Sequence, residues 1–394
     1  MKSVLFAWEL GRGLGHLITI RTLAARLRIL GIRTIAAVNH QSPAVALQDC
    51  CDETIAAPAW PFAAESPAQR AASSSATLND ILSTAGLSDA GAVRRMLTQW
   101  NKIFRRFQPN LVIADFAPMA ALAARGRIPL ALVGNGYTLP PDEMPRFPPL
   151  HRRSPPRTNE ERTLDTVNAA AGTLGLTKLE TLPQLFSGDA RFVQAFDLLD
   201  PYHTQRIETL DGPLIKRQAS PRRENAGLIF VYLSAGYAVP AGFVSALRPH
   251  AARVRIHAPR LTMPQCAELT GSGAQIDCAP VVLADILSSC CLVVHRGGSG
   301  VASEALLAGV PQLILSGQIE QNLNGEALDR AGVGRLIEAY DGSAMIGADD
   351  IGGLLDDAAV ASRAADLAER LREDLAERDP ALRCESGCLA LLEQ

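Results

Sequence analysis

Residues 292–304 read LVVHRGGSGVASE, and this stretch decides the fold expected of the chain. Three apolar residues and His295 form a run typical of a buried strand, a turn with three glycines follows, and the remainder has the composition of a helix. In such a strand–turn–helix unit, bare backbone N–H groups and the N-terminus of the helix converge on one point, which suits a pyrophosphate. The stretch therefore predicts an α/β domain with a phosphate site in the second half of the chain.

The side chains of this turn also suit a nucleotide. The strand ends on two potentially cationic residues, His295 and Arg296, and Ser299 adds a hydroxyl donor. Glu304 lies about one turn into the helix, where it is placed to accept hydrogen bonds from ribose hydroxyls. The candidate nucleotide-binding residues of the stretch are His295, Arg296, Gly297, Gly298, Ser299, Gly300, Val301 and Glu304. The alternative interpretation is a bare connection between a strand and a helix.

A carboxylate beside an amide follows the next predicted strand, which covers residues 312–315. Glu320 and Gln321 are expected on a loop after that strand. Together they offer the hydrogen-bond acceptors and donors that the hydroxyls of a sugar require. We expect this pair to contact a sugar.

The run 295–311, followed by Glu320-Gln321 and Asn324-Gly325, resembles the donor signature of nucleotide-sugar glycosyltransferases with the GT-B fold. These are the family 1 enzymes and their bacterial relatives. The resemblance implies two facing Rossmann-like domains with a donor/acceptor cleft between them. It also implies a UDP- or dTDP-linked sugar as co-substrate, with no other cofactor and no metal. In that family a His or Arg and the glycine turn bind the diphosphate, a Glu binds the ribose, and an acid–Gln pair binds the sugar.

The stretch departs from the family pattern at two positions. Counted back from Glu304, Arg296 rather than His295 falls where the family has its phosphate-binding histidine. Glu320 stands where the family more often has Asp. The resemblance therefore leaves open whether His295 or Arg296 contacts the diphosphate, and it leaves the sugar open as well.

The chain opens with another strand–turn–helix unit. Residues 4–8 are apolar, residues 11–16 read GRGLGH, and apolar residues at helical spacing follow until Gly31. A second strand over residues 34–38 completes a βαβ unit with its glycine-rich turn after the first strand. The first half of the chain is therefore predicted to be a Rossmann-like domain too.

The pair Gly15-His16 resembles the first turn of the same family, which supplies a histidine that activates the acceptor. A helix N-terminus favours a neutral imidazole, which a general base needs. Asp115, just past the strand 111–114, resembles the aspartate that orients this histidine. The resemblance implies that His16 and Asp115 are the catalytic residues of a single inverting displacement. The further donor-site residues that it implies are Gly13 and Gly15 in this turn and Ser234 and Gly236 in a second phosphate-contacting turn.

Ordinary structural roles compete with these assignments. His16 alone is compatible with a buried structural histidine, and Asp115 with a helix cap. Glu9 and Arg12 are candidate acceptor contacts, but solvated surface positions explain them equally well.

Charge, Gly and Pro concentrate around residues 211–225, where we expect the domain boundary. The prediction is an N-terminal acceptor-binding domain over residues 1–215 and a C-terminal donor-binding domain over residues 216–375. A helical tail, residues 376–394, is expected to pack back on the N-terminal domain. The irregular stretches 57–79 and 139–157 are expected to bind the acceptor.

The composition of the 394 residues limits the function classes. The chain is 47% hydrophobic and 20% charged, as in a globular α/β protein, and its formal net charge of −3 gives no field for nucleic acid. We find no signal peptide and no run of 18 apolar residues, so a cytoplasmic location with eight cysteine thiols is expected. Peripheral membrane contact stays open, as does the choice between monomer and homodimer.

The sequence therefore predicts a metal-independent inverting glycosyltransferase of the hexosyltransferase class. It would move a sugar from a UDP- or dTDP-sugar to a small-molecule or lipid-like acceptor, with His16 as general base. Two alternatives remain on the same fold: a nucleotide-sugar hydrolase and a non-catalytic nucleotide-sugar-binding protein.

Overall fold

The structure is a computed structural model, and it divides the chain into two compact units. Unit 1 is Met1–Leu214 with Asp379–Gln394, and unit 2 is Ile215–Arg378. The described residues are 1–11, 14–39, 47–62, 75–151, 155–215, 220–224, 226–233, 239–279, 281–338 and 345–394. Three predicted site residues, Gly13, Ser234 and Gly236, lie outside these ranges, as does Arg12.

Unit 1 is built on a sheet of six parallel strands in the order β3-β2-β1-β4-β5-β6. The strands are β1 (Ser3–Trp8), β2 (Arg33–Val38), β3 (Glu53–Ala56), β4 (Leu111–Asp115), β5 (Leu130–Gly134) and β6 (Ala190–Val193). The inner strands β1, β4 and β5 are buried at every position, because helices cover both faces of a parallel sheet. The strand order reverses between β1 and β4, and ligands bind at such a switch point in open α/β sheets.

The helices of unit 1 follow the strands in the usual alternation. They are α1 (Leu14–Ile29), α2 (Leu78–Leu82), α3 (Ala90–Phe107), α4 (Pro118–Ala124) and α5 (Glu160–Gly172). Shorter helical turns cover Ser83–Leu87, Leu182–Phe186 and Asp197–Leu199. Helix α2 begins inside the stretch predicted to be irregular, where Thr77 and Asp80 form a reciprocal capping box.

Unit 2 repeats the architecture with the strand order β12-β11-β10-β7-β8-β9. Its strands are β7 (Leu228–Tyr232), β8 (Val254–His257), β9 (Gln275–Ile276), β10 (Cys290–His295), β11 (Gln312–Ser316) and β12 (Gly334–Glu338). Its helices are α6 (Phe243–Leu247), α7 (Met263–Gly271), α8 (Leu283–Ile286), α9 (Ser299–Ala308), α10 (Ile319–Arg330), α11 (Ala348–Asp356) and α12 (Ala358–Ala376). Helical turns cover Arg248–Arg253 and Leu287–Ser289. The fold class predicted from sequence, parallel α/β in both halves, is confirmed.

The last helix, α13 (Pro380–Glu393), belongs to unit 1 although it follows unit 2 in the chain. Cys384 and Cys388 lie one helical turn apart and are buried in the core that β1 and α1 share. Arg383 at the start of the helix pairs with the buried Asp211 at 2.7 Å. The two cysteines therefore serve as small core residues. Among the described residues, no helix is both long and apolar enough to cross a membrane.

Candidate active site

His16 and Asp115 meet at the switch point of the first sheet. Trp8 ends β1 and Asp115 ends β4, and the two residues are partners in the strand register. Helix α1 starts at Leu14, so His16 lies in its first turn, and its Nδ1 is 2.8 Å from Asp115 Oδ1. The Asp115 side chain is 4% exposed and the His16 side chain 15%. The two residues are 99 positions apart in the sequence, and the parallel pairing of β1 with β4 brings them together.

The geometry fixes the tautomer of His16. A carboxylate only accepts hydrogen bonds, so Nδ1 donates its proton to Asp115, and in the neutral imidazole Nε2 is then the unprotonated ring nitrogen. The indole of Trp8 stacks on the imidazole, with ring centroids 4.9 Å apart and an interplanar angle of 27°. The ring is thus held on one edge and one face, as a general base requires.

Gly11 packs directly against the imidazole. It has φ +85°, and a Cβ at this position would overlap His16 Nε2. Only glycine therefore meets both demands, the left-handed backbone and the close approach. Gly15, in the first turn of α1, is exposed and has open space where a Cβ would project.

The glycine turn of unit 2 joins β10 to α9, and its glycines serve different purposes. Gly297 has φ +84°, and a Cβ there would lie 2.6 Å from the Gln321 carbonyl oxygen and 2.8 Å from Ile314 Cγ2. Gly298, the N-cap of α9, and Gly300 have no heavy atom within 4 Å of such a Cβ. Gly297 shapes the turn, and the other two leave open space beside the N-terminus of the helix.

His295 is fully buried and stabilises the glycine turn through a hydrogen bond. Its Nδ1 accepts from the Gly297 N–H at 3.0 Å, and its Nε2 donates to Gln312 Oε1 at 2.9 Å. Burial lowers the pKa of His295 to about 4, so the ring is neutral at physiological pH. A neutral ring with both nitrogens bonded inside the unit is poorly suited to hold a diphosphate.

Arg296, the other candidate, is 5% exposed and lies at the end of β10. Its Nη1 donates to the Leu315 carbonyl at 3.2 Å, which anchors the guanidinium beside the end of β11. Arginine keeps its charge when buried, so Arg296 places a positive charge next to the turn.

Glu304 lies within α9, half-buried, and burial raises the pKa of its carboxyl to about 7. Tyr232, at the end of β7, is close enough that the charge of Glu304 adds to burial in raising the tyrosine pKa. The Tyr232 ring stacks on His257, with centroids 5.5 Å apart. Glu304 therefore lies near Tyr232, one member of an aromatic pair at the ends of β7 and β8. Val301, in the first turn of α9, is half-buried.

Glu320 and Gln321 lie in the first turn of α10, so the expectation of a loop was wrong. Gln318 is the extended N-cap, and no Gly or Pro interrupts the first turn that follows. Gln321 is buried, and its Oε1 accepts from the Gly317 N–H at 2.9 Å. The Gln321 side chain thus satisfies a backbone N–H just before the N-terminus of α10.

Glu320 instead joins the glycine turn through Ser299. The Ser299 hydroxyl donates to Glu320 Oε1 at 3.0 Å, and Asn324 Nδ2 donates to the same hydroxyl at 3.1 Å. Asn324 Nδ2 also lies 2.8 Å from the Gly297 carbonyl oxygen. Asn324 was quoted in the sequence signature without a role, and its place one turn after Glu320 on α10 was the signal for this contact.

Glu9 is 3% exposed, so the interpretation as a solvated residue was wrong. Within the described ranges, no group of three His, Cys, Asp or Glu side chains is arranged to hold a metal ion.

Comparisons with known proteins agree with this architecture. Residues 251–383 match the family described as erythromycin biosynthesis protein CIII-like, C-terminal domain. Over 101 residues the chain is 36% identical to the elloramycin glycosyltransferase of Streptomyces olivaceus, covering 26% of this chain and 25% of that protein. The chain thus matches only about a quarter of the length of this relative.

Solved structures match over the whole chain. The glycosyltransferase of kitacinnamycin is 19% identical with a TM-score of 0.69, covering 99% of both chains. The spinosyn rhamnosyltransferase in complex with spinosyn aglycone is 18% identical with a TM-score of 0.61, covering all of both chains.

The protein therefore has the GT-B fold of nucleotide-sugar glycosyltransferases. Within that fold, residues 251–383 are similar to the C-terminal domain of the erythromycin biosynthesis protein CIII-like family. The resemblance identified from the sequence is confirmed.

Proposed function

We propose that this protein is a metal-independent inverting glycosyltransferase that moves a sugar from a UDP- or dTDP-sugar to a small-molecule acceptor. The observation that carries the proposal is the His16–Asp115 pair at 2.8 Å, because a protein that only binds a nucleotide-sugar needs no oriented base. The glycine turn before α9 supports it with an open N-terminus of a helix, which suits an anion.

In the proposed reaction, His16 Nε2 takes the proton of an acceptor hydroxyl as its oxygen forms a bond to the anomeric carbon. The bond from that carbon to the diphosphate breaks, and the leaving group takes the electron pair. Asp115 holds the imidazole and stabilises its developing charge. The N-terminus of α9 and the charge of Arg296 stabilise the departing nucleoside diphosphate.

The same geometry supports the following roles within the proposed donor site. Arg296 supplies the cation, since His295 is neutral and bonded inside the unit. Glu304 contacts the ribose, and Glu320 the sugar. Gln321 takes part only if its bond to Gly317 is exchanged on binding. The elloramycin glycosyltransferase, the glycosyltransferase of kitacinnamycin and the spinosyn rhamnosyltransferase are named for natural products, and the last is solved with spinosyn aglycone. These names favour a natural product as the acceptor class.

Titration with UDP, dTDP and GDP, without metal, tests the donor site by calorimetry. We expect one nucleotide to bind with micromolar affinity, and the Gly298→Trp variant to lose at least about 100-fold of it, because the indole fills the space beside the turn. Gly271→Trp is the control, since Gly271 also lies in unit 2 with open space around a Cβ, and it is exposed where Gly298 is half-buried. Equal binding by both variants, or no binding by the wild type, would remove the donor site from the proposal.

Gly11→Ala is expected to lower the transfer rate by about tenfold or more, since the new methyl group displaces the imidazole from its place against Gly11. Gly31→Ala provides the control: Gly31 has φ +75° but open space around it. Both variants carry left-handed strain of about 1–2 kcal/mol. Rate measurements beside thermal unfolding separate the two effects, and an equal loss of rate in both variants would contradict the contact with His16.

A further inference from the structure

Glu9 is a buried carboxylate with four N–H donors. It directly follows β1, and each of its oxygens accepts from one indole and one backbone amide. Oε2 accepts from Trp60 Nε1 at 3.0 Å and from the Met119 N–H at 3.1 Å. Oε1 accepts from Trp100 Nε1 at 2.5 Å and from the Ala120 N–H at 2.8 Å. Only an ionised carboxylate, which accepts hydrogen bonds and donates none, can pair with all four N–H donors without losing a hydrogen bond.

These four hydrogen bonds compensate for the burial of the carboxylate. Burial raises the pKa of Glu9 to about 7, and each of the four donors acts against that effect. An unpaired buried carboxylate would be costly, so the chain supplies donors from three separate elements to keep it. Its place in the fold indicates what the carboxylate does.

Glu9 joins the loop that precedes the helix of His16 to the loop that follows Asp115. Met119 and Ala120 lie in the first turn of α4, which directly follows the loop after Asp115. The neighbouring Leu10 N–H donates to the Phe116 carbonyl at 3.1 Å, so the same two loops are bonded twice.

Each of these loops has a special backbone feature next to His16 or Asp115. Phe116 has φ +46°, a conformation that non-glycine residues rarely adopt, and it directly follows Asp115. On the other loop, Gly11 packs against His16 Nε2. A shift of either loop would therefore move Asp115 relative to His16. The bonds of Glu9 set the separation of the two loops.

We propose that Glu9 is a positioning residue for the His16–Asp115 pair, fixing the loop after β1 to the loop after β4. The inference rests on the proposed function only where it concerns rate. Its structural part, that Glu9 sets the His16–Asp115 hydrogen bond, stands without it.

The Glu9→Gln variant tests the proposal, because the amide nitrogen cannot accept and at least one indole bond and one backbone bond are lost. The first readout is the proton NMR signal of His16 Nδ1–H, which a hydrogen bond to Asp115 moves downfield. We expect this signal to move upfield or to exchange faster. We also expect kcat to fall by about tenfold or more with the nucleotide Kd, set by unit 2, unchanged within about twofold.

Asp80→Asn is the matched control. Asp80 is 1% exposed, and each of its oxygens also accepts two N–H groups. Its donors are the backbone amides of Ala76, Thr77, Arg157 and Thr158. Loss of two of these bonds destabilises unit 1 by a similar mechanism, but these donors belong to other loops. We expect the His16 signal to be unchanged in this variant.

Trp100→Phe keeps the proposal testable if Glu9→Gln fails to fold. It removes one donor to Glu9 and retains an aromatic ring in α3. A smaller change of the His16 signal in the same direction is expected. The proposal is overturned if the signal is unchanged in the Glu9 and Trp100 variants, or if Asp80→Asn shifts it equally. Absence of transfer by the wild type would instead overturn the proposed function, and the NMR outcome would still decide the role of Glu9.

Discussion

Replacement of His16 by alanine is expected to lower the rate of sugar transfer by about 10²–10⁴-fold, the usual contribution of a positioned general base. His16 holds the unprotonated Nε2 next to Gly11, and alanine has no group that takes a proton. Nucleotide affinity should stay within about twofold, because the residues assigned to the diphosphate, ribose and sugar, Arg296, Glu304 and Glu320, lie in unit 2. Initial rates at saturating donor, with calorimetry on the same sample, give both quantities.

Asp115→Asn tests the same general base without removing the imidazole. Its amide can donate to His16 Nδ1, which would move the ring proton to Nε2 and remove the base while the side-chain shape is kept. We expect a loss of rate of similar order to that of His16→Ala. A rate within about threefold of wild type for either variant would contradict the assignment. Donor consumption at full rate without an acceptor would instead favour the nucleotide-sugar hydrolase.

The sequence predicts the strands best where apolar runs are unbroken and end in glycine turns. The strand predicted over residues 4–8 is observed as Ser3–Trp8. The edge strands β3, β6 and β12 were not predicted, since they are four or five residues long and carry charged side chains such as Glu53 and Arg335. A short edge strand is defined by its hydrogen-bonded neighbour more than by its own composition.

Some features of the candidate site were predicted from the sequence and others were not. The family resemblance implied the His16–Asp115 contact, and the fold explains it, because the ends of adjacent parallel strands lie at one edge of the sheet. The roles of His295 and Glu9 were not predicted. Adjacent positions such as His295 and Arg296 look equivalent in sequence, and burial between neighbouring strands separates them only in the fold. The donors of Glu9 come from residues 51 to 111 positions away, which no local pattern reveals.

Arg206→Met is expected to cause the largest loss of stability among the substitutions considered. The Arg206 side chain is 3% exposed, and its Nε donates at 2.6 Å to Asp200, whose side chain is fully buried. A second carboxylate, Glu208, pairs with both Arg206 and Arg191. Removing one partner of a buried ion pair leaves an uncompensated charge, which costs about 3–5 kcal/mol. Urea denaturation of both proteins measures the difference.

The same substitution should loosen the loop after β5. Arg206 Nη2 donates to the carbonyl oxygens of Gly136 and Leu139, at 3.2 Å and 3.0 Å, and methionine donates to neither. This loop enters the stretch 139–157 expected to bind the acceptor. Arg206→Lys, which retains the charge, should therefore keep most of the stability and raise the KM of the acceptor, with the KM of the donor unchanged.

A matched surface pair and the pH dependence test this argument. Arg21 and Asp49 are 2.6 Å apart but 38% and 63% exposed, so Arg21→Met should leave the free energy of unfolding nearly unchanged.

Burial raises the pKa of Glu208, but hydrogen bonds and charges from Arg191 and Arg206 outweigh it and lower the pKa below 4.5. Because this folded pKa lies below the unfolded value, the stabilisation by Glu208 is complete above pH 4.5 and is lost as the pH falls through the folded pKa. Arg206→Met should weaken this acid dependence. Equal stability losses in the Arg206 and Arg21 variants, or an unchanged acid profile, would contradict the role of the buried network.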